Sequence, residues 1–312
     1  MDEIPRSVIE RIPRWKDARG ISAERIGGLT NQNYVVSIGG ADYVLRVGGR
    51  NAAYLGINRE HELEALKAAS SAGLCPEVVE YLLPEGHLIT RFVDGIHWSA
   101  EEFRTREAIA AMVGAVKRLH SLPAIRGDAS PFRRVRRYVD EAARLAVPLP
   151  EHMDELLEAV NLVEHDQLQD NEYAPVFTHN DLVAVNIIQS TMTGAITLLD
   201  FEFAGMGDPY HDLASLVYCH DDVGPIPPEM EEFLLLSYFG EVTPQRRLRL
   251  AGMKFMLMLF FATWGFVQHG LTEVGIVKAV EGFDYLDYAR YLIENDVADC
   301  LRAYEKAQSG QQ

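Results

Sequence analysis

His179-Asn180-Asp181 and Asn186 form one polar cluster in a largely apolar stretch, and Asp200-Phe201-Glu202 forms a second, with fourteen positions from Asn186 to Asp200. Side chains of these types, in this order, suit the transfer of a phosphoryl group. That reaction needs one carboxylate to take the proton of an acceptor hydroxyl, and an amide oxygen plus a second carboxylate to hold magnesium against nucleotide phosphates. Asp181 is the candidate base, and Asn186 and Asp200 are the candidate metal ligands.

Those side chains need elements that bring them together. Residues 181 to 186 read as a short loop, Val185 to Ile188 as the strand that leaves it, and Ala195 to Phe201 as a second apolar strand. Thr193-Gly194 supplies turn residues between them. Paired as a hairpin, the two strands would place Asn186 and Asp200 at one end, as sharing a metal requires.

The order His-x-Asp, four residues, Asn, then Asp-Phe resembles the catalytic and metal-binding segments of protein kinases in the variant used by small-molecule kinases. It is most similar to the choline and ethanolamine kinases within the aminoglycoside phosphotransferase superfamily. The continuation Gly205-Met-Gly-Asp208-Pro-Tyr-His211-Asp212 extends the match. The resemblance implies an α+β, protein-kinase-like fold of two lobes, with a small β-rich lobe over residues 1–93 and a larger, mainly helical lobe over 94–312. It also implies ATP and Mg2+ as cofactors and a bracing role for Asp212, which opens a helix beneath the catalytic loop. His179 reads as a structural support of that loop, and His120 as a helix-end residue packing below it.

Composition agrees with a folded enzyme. The 312 residues are 48% hydrophobic and 24% charged, enough for two lobes around a cleft. A net charge of −17 argues against nonspecific binding to nucleic acid or anionic lipid and suits a cationic small substrate. Cys75, Cys219 and Cys300 are odd in number and far apart, which suggests neither disulfides nor a zinc site. The first residues lack a signal-peptide pattern, and the apolar run Phe255 to Val267 is too short to span a bilayer. A cytoplasmic protein without a membrane segment is expected; its oligomeric state is not legible.

Along the chain, Ser7 to Trp15 reads as a short helix, and strands are expected at 21–26, 34–38, 43–47, 78–81 and 87–92, with Gly39-Gly40 turning a hairpin. Asn58 to Ala72 has the apolar spacing of an amphipathic helix stopped by Gly73. The passage between lobes falls at Phe92-Val93-Asp94-Gly95. Helices are expected over 101–122, 135–146, 153–165, 248–269 and 277–306.

In the small lobe, Gly27-Gly28 with Thr30, Asn31 and Asn33 could turn tightly over phosphates, and the segment is similar to the Leu-Thr-Asn-x-Asn-Tyr pattern of the choline kinase branch. Arg46 stands where a protein kinase has its phosphate-pairing lysine. It wants a carboxylate on the following helix, Glu62 or the neighbouring Glu60. Arg91, Phe92 and Val93 would border the nucleotide at the hinge.

The acceptor signal lies near the carboxy end. Phe261 and Trp264, three apart on one helix, could surround an ammonium group, and Tyr218 could close that cage. The segment resembles the Trp-x-x-Trp stretch ending in Gln of choline and ethanolamine kinases, with Phe261 in place of the first Trp. Helix core is the other reading of these rings, and the one that Phe260 and Phe266 favour. Glu202 could touch a second metal or the acceptor ammonium. The expected activity is transfer of the γ-phosphoryl group of ATP to choline or ethanolamine. The alternatives are an aminoglycoside, sugar or other alcohol acceptor, or a nucleotide-binding module without catalysis.

Overall fold

The computed structural model describes residues 6–13, 15, 20–27, 31–219 and 224–310. After a single helical turn, α1 (Arg6–Ile9), the chain enters a five-stranded antiparallel sheet of β1 (Ser22–Gly27), β2 (Gln32–Ile38), β3 (Ala41–Val47), β4 (Val78–Leu82) and β5 (His87–Arg91). Its strand order is β1-β2-β3-β5-β4. Gly39 and Gly40 both have positive φ, 59° and 79°, as a two-residue turn between twisted strands requires. Tyr34, Val36, Leu45 and Ile89 pack on Val8, Ile12 and Trp15 as this lobe's own small core.

Helix α2 (Arg59–Ser71) starts where the Asn58 side chain accepts from the amides of Glu60 and His61, and it gives way to Gly73 at φ 65°. Its buried face does not join the sheet's core. Leu55, Ile57, Ala65, Leu66, Ala69 and Leu74 belong instead to the large hydrophobic cluster of the helical lobe. Backbone contacts follow the same division: Tyr138 Oη donates to Leu55 O (3.1 Å), and Leu198 N donates to Leu74 O (2.8 Å). The lobes follow each other in sequence, but the main core extends back across the hinge to about residue 55.

The helical lobe contains β6 (Gly95–Ile96), α3 (Ala100–Phe103), α4 (Arg106–His120), α5 (Pro131–Arg144) and α6 (Met153–Gln169). After β7 (Val176–Thr178) come a 3-10 turn at Ala184–Asn186, then β8 (Ile187–Ser190), β9 (Ile196–Leu198) and β10 (Gly205–Gly207). The remaining helices are α7 (Pro209–Val217), α8 (Pro228–Phe239), α9 (Pro244–Glu273), α10 (Tyr285–Leu292) and α11 (Ala298–Gln308), the last two joined by a π turn.

Caps account for the departures from the sequence reading. The helix expected over 101–122 is two, because a Ser99–Glu102 capping box starts α3 and Thr105 caps a fresh start at α4. The one expected from 277 begins only at Tyr285, behind the Asp284 cap and after Gly282 at φ 78°. Helix α9 is much longer than its apolar run suggested. It is long and apolar enough to cross a membrane, with a mean hydropathy of 1.7, yet 78% of that stretch is buried inside the protein. It is the central strut of the helical lobe.

Candidate active site

The loop after β7 is held from below by one carboxylate. Asp212, in the first turn of α7, accepts from the backbone amides of His179 (2.8 Å) and Asn180 (2.7 Å), and His120 Nε2 lies 3.0 Å away. Burial would raise the Asp212 pKa, but the His120 hydrogen bond and the neighbouring imidazoles reverse that and hold it below the usual carboxylate range. Asn180 takes a left-handed φ of 66°, and its amide donates to Thr178 Oγ1 (2.8 Å) and Phe203 O (3.1 Å). His179 Nε2 lies 2.8 Å from Leu199 O and must donate to it, so Nδ1 accepts from Asp181 N at 3.3 Å. Burial pushes the His179 pKa down, and the ring is neutral. Both ring nitrogens of His179 are thus engaged with backbone groups of the loop, which it organises.

Asp181 follows directly. Asn186 Nδ2 donates both to Asp181 Oδ2 (2.8 Å) and to Asp181 O (3.0 Å), which turns the Asn186 amide oxygen away from the carboxylate. The hairpin then does what its sequence implied. Ile187 pairs with Leu198, and Leu199 N donates to Asn186 O (2.8 Å), so Asn186 and Asp200 come to one end. Asp200 has a left-handed φ of 58°, a conformation that Asp tolerates better than most residues. Burial, followed by the charges of Asp200 and Glu202, raises the Asp181 pKa well above its ordinary value.

Opposite this end sits a chain of alternating charges. Arg46 Nη1 pairs with Asp200 Oδ1 at 2.9 Å, while its Nη2 forms an ion pair with Glu62 Oε1 and donates to Gly86 O at 3.2 Å. Glu62 Oε2 accepts from Arg59 Nη1 (2.7 Å) and Tyr81 Oη (2.6 Å). Arg59 Nη1 reaches on to Glu202 Oε2 at 3.1 Å, and Asn31 Nδ2 donates to the same oxygen at 3.0 Å. Glu60, with its side chain 69% exposed, comes only within 3.9 Å of Arg126. The partner of Arg46 is therefore Glu62.

The donor set suits magnesium. Asn186 Oδ1 and Asp200 Oδ2 are hard oxygen donors with no other hydrogen bond among the described residues, and no group of three or more His, Cys, Asp or Glu side chains is placed to hold a metal there. One carboxylate and one amide oxygen, with phosphates and water completing the shell, is a common arrangement for Mg2+.

A cavity of about 850 Å3 runs from the hinge to the helical lobe. Asn33, Arg46, Thr90, Arg91, Phe92 and Val93 border it at one end, and Asp181, Asn186, Asp200 and Glu202 in the middle. Phe203, Phe260, Phe261, Trp264 and Tyr288 form an aromatic wall. Trp264 meets Tyr288 at right angles, 6.5 Å between centroids, and Arg134 stacks over Phe203 (5.0 Å) and Phe260 (5.5 Å). Phe261 and Trp264 are partly exposed to the cavity, whereas Phe266 is core.

One expectation is corrected. Tyr218 does not line the cavity; its hydroxyl lies 3.1 Å from Cys300 Sγ, turned toward α11. Glu202 borders the cavity, and Arg59 and Asn31 both bond its Oε2, which ties the lobes together; its Oε1 has no hydrogen bond among the described residues. Gly28 and Thr30 of the expected phosphate turn lie outside the described residues. Sequence reasoning missed Arg59, although its place three residues before Glu62 on one helix was a readable signal. It also missed Tyr288 and Phe203, which nothing in their local sequence distinguishes from core aromatics.

The model of the phosphotransferase enzyme family, APH, matches residues 22–247. The chain belongs to that family. LicA of Haemophilus influenzae is 28% identical over 74% of this enzyme and 67% of its own length. Probable choline kinase 1 of Arabidopsis thaliana is 25% identical over 86% and 83%. Among solved structures, a choline/ethanolamine kinase family protein from Mesorhizobium loti superposes with a TM-score of 0.70, at 26% identity, over 96% of the enzyme and 97% of that chain. LicA in complex with AMP superposes at 0.77, with 21% identity, over 97% and 100%, a likeness of fold.

Proposed function

We propose that this phosphotransferase moves the γ-phosphoryl group of ATP to the hydroxyl of a small amino alcohol, choline or ethanolamine, in the cytoplasm. One observation carries the reading: the Asp181–Asn186–Asp200 end and an aromatic wall open on the same cavity. The base of ATP sits at Arg91–Val93, with Asn31, Asn33 and Arg46 toward its phosphates. Asn186 and Asp200 would hold magnesium, which would supply positive charge against the phosphates.

Asp181 accepts the proton of the acceptor hydroxyl. Its raised proton affinity makes it a better base than an exposed aspartate, and its hydrogen bond from Asn186 fixes the oxygen that faces the acceptor. Arg46, held by Glu62, clamps phosphate oxygens and stays paired with Asp200 Oδ1, leaving Oδ2 for the metal. Phe261, Trp264 and Tyr288 offer ring faces to the ammonium group. Among the described residues, the cavity's only carboxylates are Asp181, Asp200 and Glu202, all in its middle at the proposed metal site. That favours a compact ammonium alcohol over a polycationic aminoglycoside, and the complete Asp181–Asn186–Asp200 set favours catalysis over a silent module.

The test is ADP release from Mg-ATP with choline, ethanolamine, several aminoglycosides and simple sugar alcohols. Saturable stimulation by choline or ethanolamine is expected. Stimulation by an aminoglycoside or sugar alone would overturn the acceptor assignment and leave the phosphotransfer assignment standing.

A further inference from the structure

His97 lines the cavity four residues beyond the hinge, apart from the charge chain and the aromatic wall. Its Nδ1 lies 2.8 Å from Ile187 O and 3.3 Å from Ala184 O. Both are carbonyl oxygens, which only accept, so Nδ1 must carry the ring proton. In the uncharged imidazole this fixes the tautomer and makes Nε2 an acceptor, which has no partner among the described residues. Two carbonyls that flank Asn186 also fix where the ring stands: between the hinge, where the chain leaves Val93, and the loop that carries Asn186.

We infer that His97 is a specificity-determining residue that accepts a hydrogen bond from a ribose hydroxyl of the nucleotide. The inference rests on the proposed placement of ATP, with its base at the hinge and its phosphates at Asn186 and Asp200. The sugar is the part of a nucleotide that joins those two ends, and its 2′ and 3′ hydroxyls are donors that match an acceptor-only nitrogen.

The experiment compares Mg-ATP, Mg-2′-deoxyATP and Mg-3′-deoxyATP with the full-length wild type and with His97→Ala and His97→Phe, by calorimetric binding and by KM. Wild type should bind one deoxy analogue about three- to tenfold more weakly than ATP, the value of one neutral hydrogen bond. Both variants should lose that preference, with ATP falling to the level of the analogue and the analogue itself little changed. A structural role alone would weaken all three nucleotides together and keep their ratios. Retention of the wild-type ratios in either variant, or wild type that does not distinguish the analogues, overturns the inference while ATP binding stands. Failure of wild type to bind any of the three overturns the nucleotide placement itself.

Discussion

Glu62 offers the sharpest test of the interlobe charge chain. It is 1% exposed and meets two guanidinium groups and the Tyr81 hydroxyl. Removing one partner from a buried ion pair destabilises by about 3–5 kcal/mol, mostly because the other charge is left without compensation. Glu62→Gln keeps the side-chain shape and one acceptor oxygen, while Arg46 retains Asp200 and Arg59 retains Glu202. The loss should therefore fall at the low end, about 3 kcal/mol. For a chain of this length roughly 2 °C accompanies each kcal/mol, so Tm should drop by about 6 °C. With Glu62 neutral, Arg46 is drawn onto Asp200 and competes with the metal, so KM for Mg-ATP should rise about tenfold or more. Glu60→Gln is the control: its exposed side chain should leave stability within about 0.5 kcal/mol of wild type, about 1 °C in Tm, and KM unchanged. Differential scanning calorimetry and steady-state kinetics read both effects. If the two variants behaved alike, the chain Asp200–Arg46–Glu62–Arg59–Glu202 would not be the working connection between the lobes.

Asp181→Asn should reduce kcat by about 10²–10⁴-fold, the usual contribution of a general base, with nucleotide binding retained by calorimetry. Trp264→Ala should raise the KM for choline roughly three- to thirtyfold with little change in kcat, and should not affect a neutral carbon isostere of choline, as expected for loss of a cation–π contact. Tyr218→Phe should leave the acceptor KM unchanged, because that hydroxyl faces Cys300. Asp212→Asn should lower Tm at neutral pH, since the carboxylate serves two buried amides and His120. Its proton affinity is depressed in the fold, so its contribution is present above the unfolded value, about pH 3.9, and is lost as pH falls through the lower folded value. The Tm gap between wild type and Asp212→Asn should accordingly close below about pH 4.

The motif from His179 to Asp212 was legible because its chemistry is local. Asp181, Asn186 and Asp200 belong to one loop and one hairpin, and short-range pairing of Ile187 with Leu198 is enough to bring them to one end. The strands around Gly39-Gly40 and the helix stopped by Gly73 were legible for the same reason: period, caps and turn residues act over a few positions. What acts over long separations was not. The choice of Glu62 over Glu60 depends on which face of α2 meets β3, and the loss of Tyr218 from the acceptor wall depends on how α7 lies against α11.

By itself, then, the sequence determined the phosphotransferase class and brought forward Asp181, Asn186 and Asp200 as candidates, because the spacing of polar groups in short elements is written directly in the chain. It also determined a two-lobed order of strands and helices. The tertiary structure alone decided that Arg59 and Glu202 join the lobes across 143 positions, that Tyr288 shares a cavity with Trp264, and that the main core extends back across the hinge to about residue 55. Such contacts arise when buried charges must find partners and aromatic faces must find cover. Many distant residues can satisfy those needs, and only the packed fold selects among them.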